Sequence, residues 1–278
     1  MEDKIFLVTG STSGIGLVTA LELAKTKAKV ILVGRNKEKT ENVINQIKKD
    51  SNNDKVEYIL ADLSKQKDIK KLADEFKAKY DKLDVLVNNA GLLCSKKELT
   101  EDNLENTFAT NHMGYFLLTN LLLEELKKSS NARVVNVASD AHRMGDTYFD
   151  DINFEKKKYS AWKAYGNSKL YNILFTYELA EKLKNTNIKT NCLHPGVIRT
   201  NFNFGFNIPV VNSVIKMFLL SPEKGAETQI HLALSPEVKN ITGKYFDKKK
   251  AVSSSYISYD KEARKKLWEI SENLIKLD

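Results

Sequence analysis

Tyr165 and Lys169 stand four residues apart in the run Tyr165-Gly166-Asn167-Ser168-Lys169, at the start of a helical pattern that continues through Leu179. Residues four apart share a helix face, so the phenol and the ammonium point the same way. A free tyrosine titrates near ~10 and is a poor base at neutral pH. A nearby positive charge stabilises the phenolate and lowers that value. A phenol tuned in this way can give or take a proton at a reacting oxygen. The same spacing also occurs in ordinary helix packing, so its meaning depends on what accompanies it.

A second group of residues suits an anion. Ile5 to Val8 read as a buried strand, Thr9-Gly10-Ser11-Thr12-Ser13-Gly14-Ile15-Gly16 follow, and helical periodicity begins at Gly14. A strand, a glycine-rich turn and a helix start are the setting of a dinucleotide turn. Gly10 permits the tight turn, Gly14 lets the backbone approach a pyrophosphate, and Gly16 lets the helix pack close to the strand. The free amides and the positive end of the helix dipole favour a diphosphate. Three residues separate the first two glycines, so this is not the G-x-G-x-x-G spacing. The second strand ends at Val33, followed by Gly34-Arg35-Asn36. Sites for NAD usually place an acidic residue here. Arg35, with Lys37 and Lys39 behind it, suits a 2′-phosphate instead. The expected cofactor is NADP(H), with NAD less favoured. The plain alternative for Arg35 is a solvated residue opening a polar helix.

The elements that must position these groups alternate. Apolar runs at 30–33, 56–60, 85–87, 134–137, 189–193 and 243–246 follow the first strand. Helical segments at 14–26, 37–49, 65–80, 111–127, 160–184 and 222–234 separate them. Continuous β-branched runs between helices indicate a parallel sheet covered on both faces. The expectation is an α/β fold: one doubly wound Rossmann-type domain over residues 1–278, with a central, mostly seven-stranded parallel sheet. Two segments interrupt the alternation, 140–164 and 201–220, and long irregular segments usually carry function. A substrate loop or lid is expected at about 197–222. Within it Val210, Val211, Val214, Ile215, Phe218 and Leu219 recur at helical spacing. That pattern fits a lid, a helix touching a membrane surface, or burial against the core. Its Phe-rich start predicts an apolar substrate.

Composition narrows the class. Hydrophobic residues make up 42% and charged residues 29%, which suits a globular chain. The net charge of +8 is spread over polar helix faces, with no basic stripe interleaved with aromatics, so no nucleic-acid partner is expected. Cys94 and Cys192 lie far apart and fit a reducing, cytoplasmic setting. No signal peptide and no apolar run of about 18 residues is read. His112, His142, His194 and His231 show no metal-ligand spacing, and no metal is expected. Ser139 and His142 lack the glycine elbow of a hydrolase nucleophile. His142 and His194 read as structural.

Together these residues resemble the short-chain dehydrogenases/reductases, over about residues 4 to 277. The family's TGxxxGIG turn is Thr9 to Gly16. Its adenine-side Asp-Leu is Asp62-Leu63, and its NNAG motif is Asn88-Asn89-Ala90-Gly91. Its helix asparagine matches Asn111, its serine Ser139, its tyrosine and lysine Tyr165 and Lys169, and its Pro-Gly motif Pro195-Gly196. The runs Asn111 to Phe116, Val134 to His142, His194-Pro195-Gly196-Val197-Ile198-Arg199-Thr200 and Ser221 to Ala226 resemble the retinol-dehydrogenase-like branch. That branch shares the long spacer between serine and tyrosine and a preference for NADP. Ala138 and Asp140 depart from it, since the branch often flanks the serine with Ser and an apolar residue.

The resemblance implies roles. Tyr165 is the general acid/base, Ser139 orients the substrate oxygen, Lys169 binds the nicotinamide ribose and lowers the tyrosine pKa, and Asn111 holds a water in a proton relay. Asn89, Ala90, Gly91, Pro195, Gly196, Val197 and Thr200 line the cofactor site, with Thr200 at the nicotinamide amide. The implied function is an oxidoreductase that moves a hydride between NADP(H) and an apolar aldehyde, ketone or alcohol. One alternative is a catalytically silent NADP(H)-binding sensor or scaffold on the same fold. Another is a lipid-processing enzyme docked on membranes through 202–220. A monomer or a homodimer is expected, since the family commonly pairs the helices near 111–127 and 160–184.

Overall fold

The computed structural model describes residues 1–196 and 220–275. Its strands are β1 (Ile5–Thr9), β2 (Lys29–Gly34), β3 (Val56–Leu60), β4 (Val85–Asn88), β5 (Arg133–Val137), β6 (Lys189–His194), β7 (Tyr245–Asp247) and β8 (Lys250–Val252). They form one sheet in the order β3-β2-β1-β4-β5-β6-β7-β8. The strands from β1 to β7 pair in parallel, in register such as Val8 with Leu32 and Val87 with Val135. The order reverses between β1 and β4. At such a switch point the loops leave the strand ends in opposite directions and open a crevice for ligand.

The expected seven parallel strands are present, and an eighth extends the sheet. β8 pairs antiparallel with β7 through a turn in which Lys248 and Lys249 take positive φ of 47° and 66°. All three β8 residues are exposed, so no apolar run announces the strand in the sequence.

Side chains alternate across the strands, and a core lies on each face. Leu7, Ile31, Leu86 and Val134 face one core, where α3 (Gln66–Lys79), α5 (Gly114–Leu121) and α7 (Ala161–Lys182) pack. Phe6, Val8, Leu32 and Val135 face the other, with α1 (Gly14–Lys25), α2 (Lys37–Ser51) and α8 (Pro222–Leu234).

The segment expected as one helix over 111–127 is divided. It begins earlier, in α4 (Asn106–Phe108), where the Glu105 carboxylate accepts from the amides of Thr107 and Phe108. A π-helical turn follows at Ala109–Met113 and leads into α5. Leu122, at φ −103°, separates α5 from α6 (Leu123–Lys127). Wide turns of this kind are frequent at functional sites, and this one contains Asn111.

The last helix, α9 (Lys261–Leu274), is absent from the sequence-based reading. Its few apolar residues form one stripe among charges. Trp268 packs its ring 4.9 Å from Phe116 and 5.9 Å from Phe175, with Lys182 Nζ 4.5 Å above it. The stripe covers faces of α5 and α7, which is one reason α7 is buried along most of its length.

Candidate functional site

The crevice at the carboxyl ends of β1, β4 and β5 holds both groups of residues. Gly10, at φ +63°, begins the turn after β1, where a Cβ would stand 2.7 Å from the Ala90 backbone. A Cβ on Gly16 would run into Asn89 Nδ2 and the Gly10 carbonyl. Only glycine fits either position. Asn89 braces the turn, its side-chain amide donating to Thr9 O at 2.8 Å and Gly10 O at 3.1 Å. Thr9 Oγ1 accepts from the amides of Asn89 and Ala90. The strand ends that must form one crevice are thus tied together.

The start of α1 is bare. Its N-cap Ser13 makes no side-chain cap, and no acidic residue lies in the first turn. The other long helices supply their own acceptors: Asn36 for α2, Ser160 for α7, Ser221 for α8, Asp260 for α9, and Asp102 from a neighbouring loop for α3. Unsatisfied amides at a dipole's positive end suit an anion. A diphosphate therefore fits Gly10, Ser11, Thr12, Ser13, Gly14, Ile15 and Gly16. Gly34 keeps the next loop close, since a Cβ there would lie 2.7 Å from Thr12 Cγ2.

Arg35 and Asn36 are exposed beside this turn, and Asn36 also caps α2. Asp62 turns one carboxylate oxygen to the Ser64 amide and hydroxyl. Leu63 is buried in the core, so its side chain shapes the wall rather than meeting solvent. Pro195 and Gly196, the latter at φ +87°, follow β6. Val197 and Thr200 lie outside the described residues, as does most of the expected lid.

Deeper in the crevice the proton-handling residues meet. Ser139 follows β5, and its Oγ accepts from Ala141 N at 3.2 Å. That leaves its O–H for the Tyr165 hydroxyl, with which it is hydrogen-bonded. Lys169 Nζ stands 5.4 Å from the Tyr165 ring centre and donates to Val137 O at 3.1 Å. A Cβ on Gly91 would come within 3.4 Å of that ammonium and 3.3 Å of Asn111 Oδ1. Asn111 is fully buried: Nδ2 donates to Leu92 O and Ser168 Oγ, and Oδ1 accepts from Leu92 N. Both its donors are engaged, so the side chain acts as a brace between the Leu92 loop and α7.

The chain's own groups do not by themselves lower the tyrosine. Burial pushes Tyr165 up to about 12, and the Ser139 hydrogen bond opposes this only in part. Burial also brings Lys169 down to about 7. A lysine lowered in this way supports a phenolate less than an ordinary ammonium does. The pair needs a further charge or solvent change at the site before the phenol titrates in the working range.

Sequence reasoning missed three supports. The Tyr115 hydroxyl donates to Ala90 O at 2.8 Å. Ser168 accepts from Asn111 and passes a hydrogen bond to Tyr165 O at 2.8 Å. Gln229, from α8, links Asn89 to Thr19. Each bonds across a long sequence separation or through main chain, which no local pattern shows. Among the described residues no cluster of His, Cys, Asp and Glu is arranged for a metal.

A nucleotide crevice and a Ser-Tyr-Lys-Asn cluster on a doubly wound sheet define a nicotinamide-dependent oxidoreductase. A family model for short chain dehydrogenases matches residues 4–207. Human retinol dehydrogenase 14 is 38% identical over 295 aligned residues, covering 100% of this chain and 88% of that protein. A solved structure of an uncharacterized protein from Mycobacterium paratuberculosis superposes with a TM-score of 0.82 at 31% identity, covering 98% of this chain and 93% of that one. A short chain dehydrogenase from Shigella flexneri complexed with NADP gives 0.71 at 27% identity, covering 90% and 98%. The chain belongs to the short-chain dehydrogenase/reductase family. Within it the chain is retinol-dehydrogenase-like, an oxidoreductase acting on CH–OH and C=O groups with NAD(P).

Proposed function

We propose that the protein transfers a hydride between NADP(H) and an apolar aldehyde, ketone or alcohol. The observation that carries this reading is the meeting of the Ser139 hydroxyl, the Tyr165 phenol and the Lys169 amine, with Gly91 alongside in contact distance of Lys169 and Asn111. When bound, the nicotinamide supplies or accepts the hydride. The chain's own residues do the rest. Ser139 donates a hydrogen bond to the substrate oxygen and fixes its place. Tyr165 gives that oxygen its proton in reduction and takes it back in oxidation. Lys169, 5.4 Å from the phenol ring, stabilises negative charge there when protonated, and Asn111 holds α7 against the Leu92 loop so that the cluster keeps its geometry.

Arg35, exposed next to the glycine turn, would meet the 2′-phosphate, and the NADP complex of the Shigella relative supports that choice. Retinol in the human relative's name supports an apolar alcohol or aldehyde as substrate. Residues 1–278 act as one nucleotide-binding domain. The burial of Trp268 against Phe116 and Phe175 supports a monomer over a dimer built on that face. No described helix is long and apolar enough to cross a membrane; the free Cys94 and Cys192 support a reducing, cytoplasmic setting.

The test is a panel of apolar aldehydes and ketones with NADPH and with NADH as donor. Turnover that prefers NADPH supports the reading. Tight NADPH binding with no turnover of any carbonyl favours the sensor alternative.

A further inference from the structure

His142 lies one turn past Ser139, fully buried, and the oxidoreductase reading leaves it unused. Its Nδ1 stands 2.7 Å from Ser139 O, and its Nε2 lies 2.9 Å from the main-chain nitrogen of Ser255. An amide can only donate, so Nε2 carries no proton. Nδ1 therefore holds the hydrogen and donates it to the Ser139 carbonyl. The Tyr245 ring packs edge-on at 4.9 Å and fixes the imidazole plane.

The bonded carbonyl belongs to the same residue as the reacting hydroxyl. Fixing it fixes the Ser139 peptide plane and the direction of its Cα–Cβ bond, while the Ala141 amide holds Oγ about that bond. The main-chain amide of His142 also reaches this oxygen, at 3.1 Å, but closes only the local turn. The imidazole ties the turn to a distant part of the chain. Ser254 Oγ pairs with Tyr177 OH at 2.8 Å and with Ser258 Oγ at 2.6 Å, and Arg143 Nη2 donates to Ser253 O. On its other side the turn is pressed against the helix that bears the tyrosine: a Cβ on Gly145 would lie 2.6 Å from Gly166 O and 2.9 Å from Leu170 Cβ.

We propose that His142 is a positioning residue for the reaction: its Nδ1–H holds the Ser139 peptide so that the Ser139 hydroxyl stays aimed at the oxygen it shares with Tyr165, and its Nε2 anchors that aim to the segment 253–258. The proposal rests on the role assigned above to Ser139.

Two variants separate the two ring nitrogens. His142→Asn places an amide N–H near the position of Nδ1 and gives up the Ser255 contact. His142→Gln reaches toward the position of Nε2 and gives up the bond to Ser139. We expect His142→Asn to keep kcat within about threefold and His142→Gln to lose about tenfold in kcat, the scale of modest misplacement of a reacting group. The KM for NADPH stays unchanged in both, and both lose similar amounts of Tm. The double variant His142→Gln with Ser139→Ala should be no slower than Ser139→Ala alone. Equal kcat losses in the two single variants that track their Tm, full kcat in His142→Gln, or additive losses in the double variant would overturn the proposal. Full kcat in Ser139→Ala by itself would instead remove the role assigned to Ser139, and the positioning role with it.

Discussion

The glycine turn after β1 and the cluster around Tyr165 face the same crevice but are built in opposite ways. The turn offers main chain: bare amides at the start of α1, with glycines where a Cβ would meet Ala90, Asn89 or Gly10. The cluster offers side chains from β5 and α7, braced by a third element through Asn111. Main-chain amides bind a diphosphate well whatever the pH. Buried side chains can change charge, so proton transfer falls to the second region. Binding and chemistry are thus divided between two kinds of atoms.

That division can be broken from either side. Ser139→Ala removes the donor to the substrate oxygen and should cost about 10² in kcat, the scale for one such donor, with NADPH affinity unchanged in a binding titration. On the other side, Gly16→Ala forces a Cβ into Asn89 and Gly10. NADPH affinity should fall by about tenfold or more as the turn loses its close approach, and a loss confined to kcat would refute the assignment. Arg35→Ala should weaken NADPH by about tenfold, as expected for one charge-assisted contact, and leave NADH affinity nearly unchanged. Equal weakening of both cofactors would show that Arg35 does not read the phosphate.

The smallest effect sharpens the electrostatic half. Lys169 titrates at about 7 when folded, against an ordinary 10.5. Between those values the unfolded chain holds more protons at this residue, so stability rises with pH across the window and is lost as pH falls toward 7. Tyr165, raised to about 12 from 10, acts oppositely above pH 10, where the unfolded chain gives up its proton first. The Tm of the cofactor-free protein should therefore climb from about pH 7 to about pH 10 and then fall as the raised tyrosine takes over. In Lys169→Met the climb should be reduced. An unchanged slope in the variant would show that the lysine is not desolvated as its burial implies.

The two regions also differ in how far the sequence reveals them. Strand, glycines and helix follow one another within residues 5–16, so the turn is legible locally, as is the parallel character of the sheet, though not its strand order. A spacing and a resemblance single out the residues of the cluster, but not how they bond. The engagement of Asn111 with Leu92 and Ser168, and the link from His142 to Ser255, join residues 19 to 113 positions apart. No periodicity carries such pairings. The π-helical turn at Ala109–Met113 and the helix α9 escaped for a different reason. The first continues the helical pattern without a sequence break, and the second shows few apolar residues until Phe116 and Phe175 are seen to receive Trp268. The pKa balance is not legible in the sequence, because spacing shows the neighbouring ammonium but not the burial that brings its pKa down.

Tyr165 carries the chemistry, and the glycine turn carries the binding. Single-turnover reduction of a carbonyl substrate at saturating NADPH, measured for the wild type and Tyr165→Phe beside a titration of NADPH affinity, tests this division directly. The account predicts a rate loss of about 10²-fold or more, the scale of general acid catalysis, with NADPH affinity held within about threefold because the turn is untouched. A Tyr165→Phe variant that keeps the wild-type rate would contradict it.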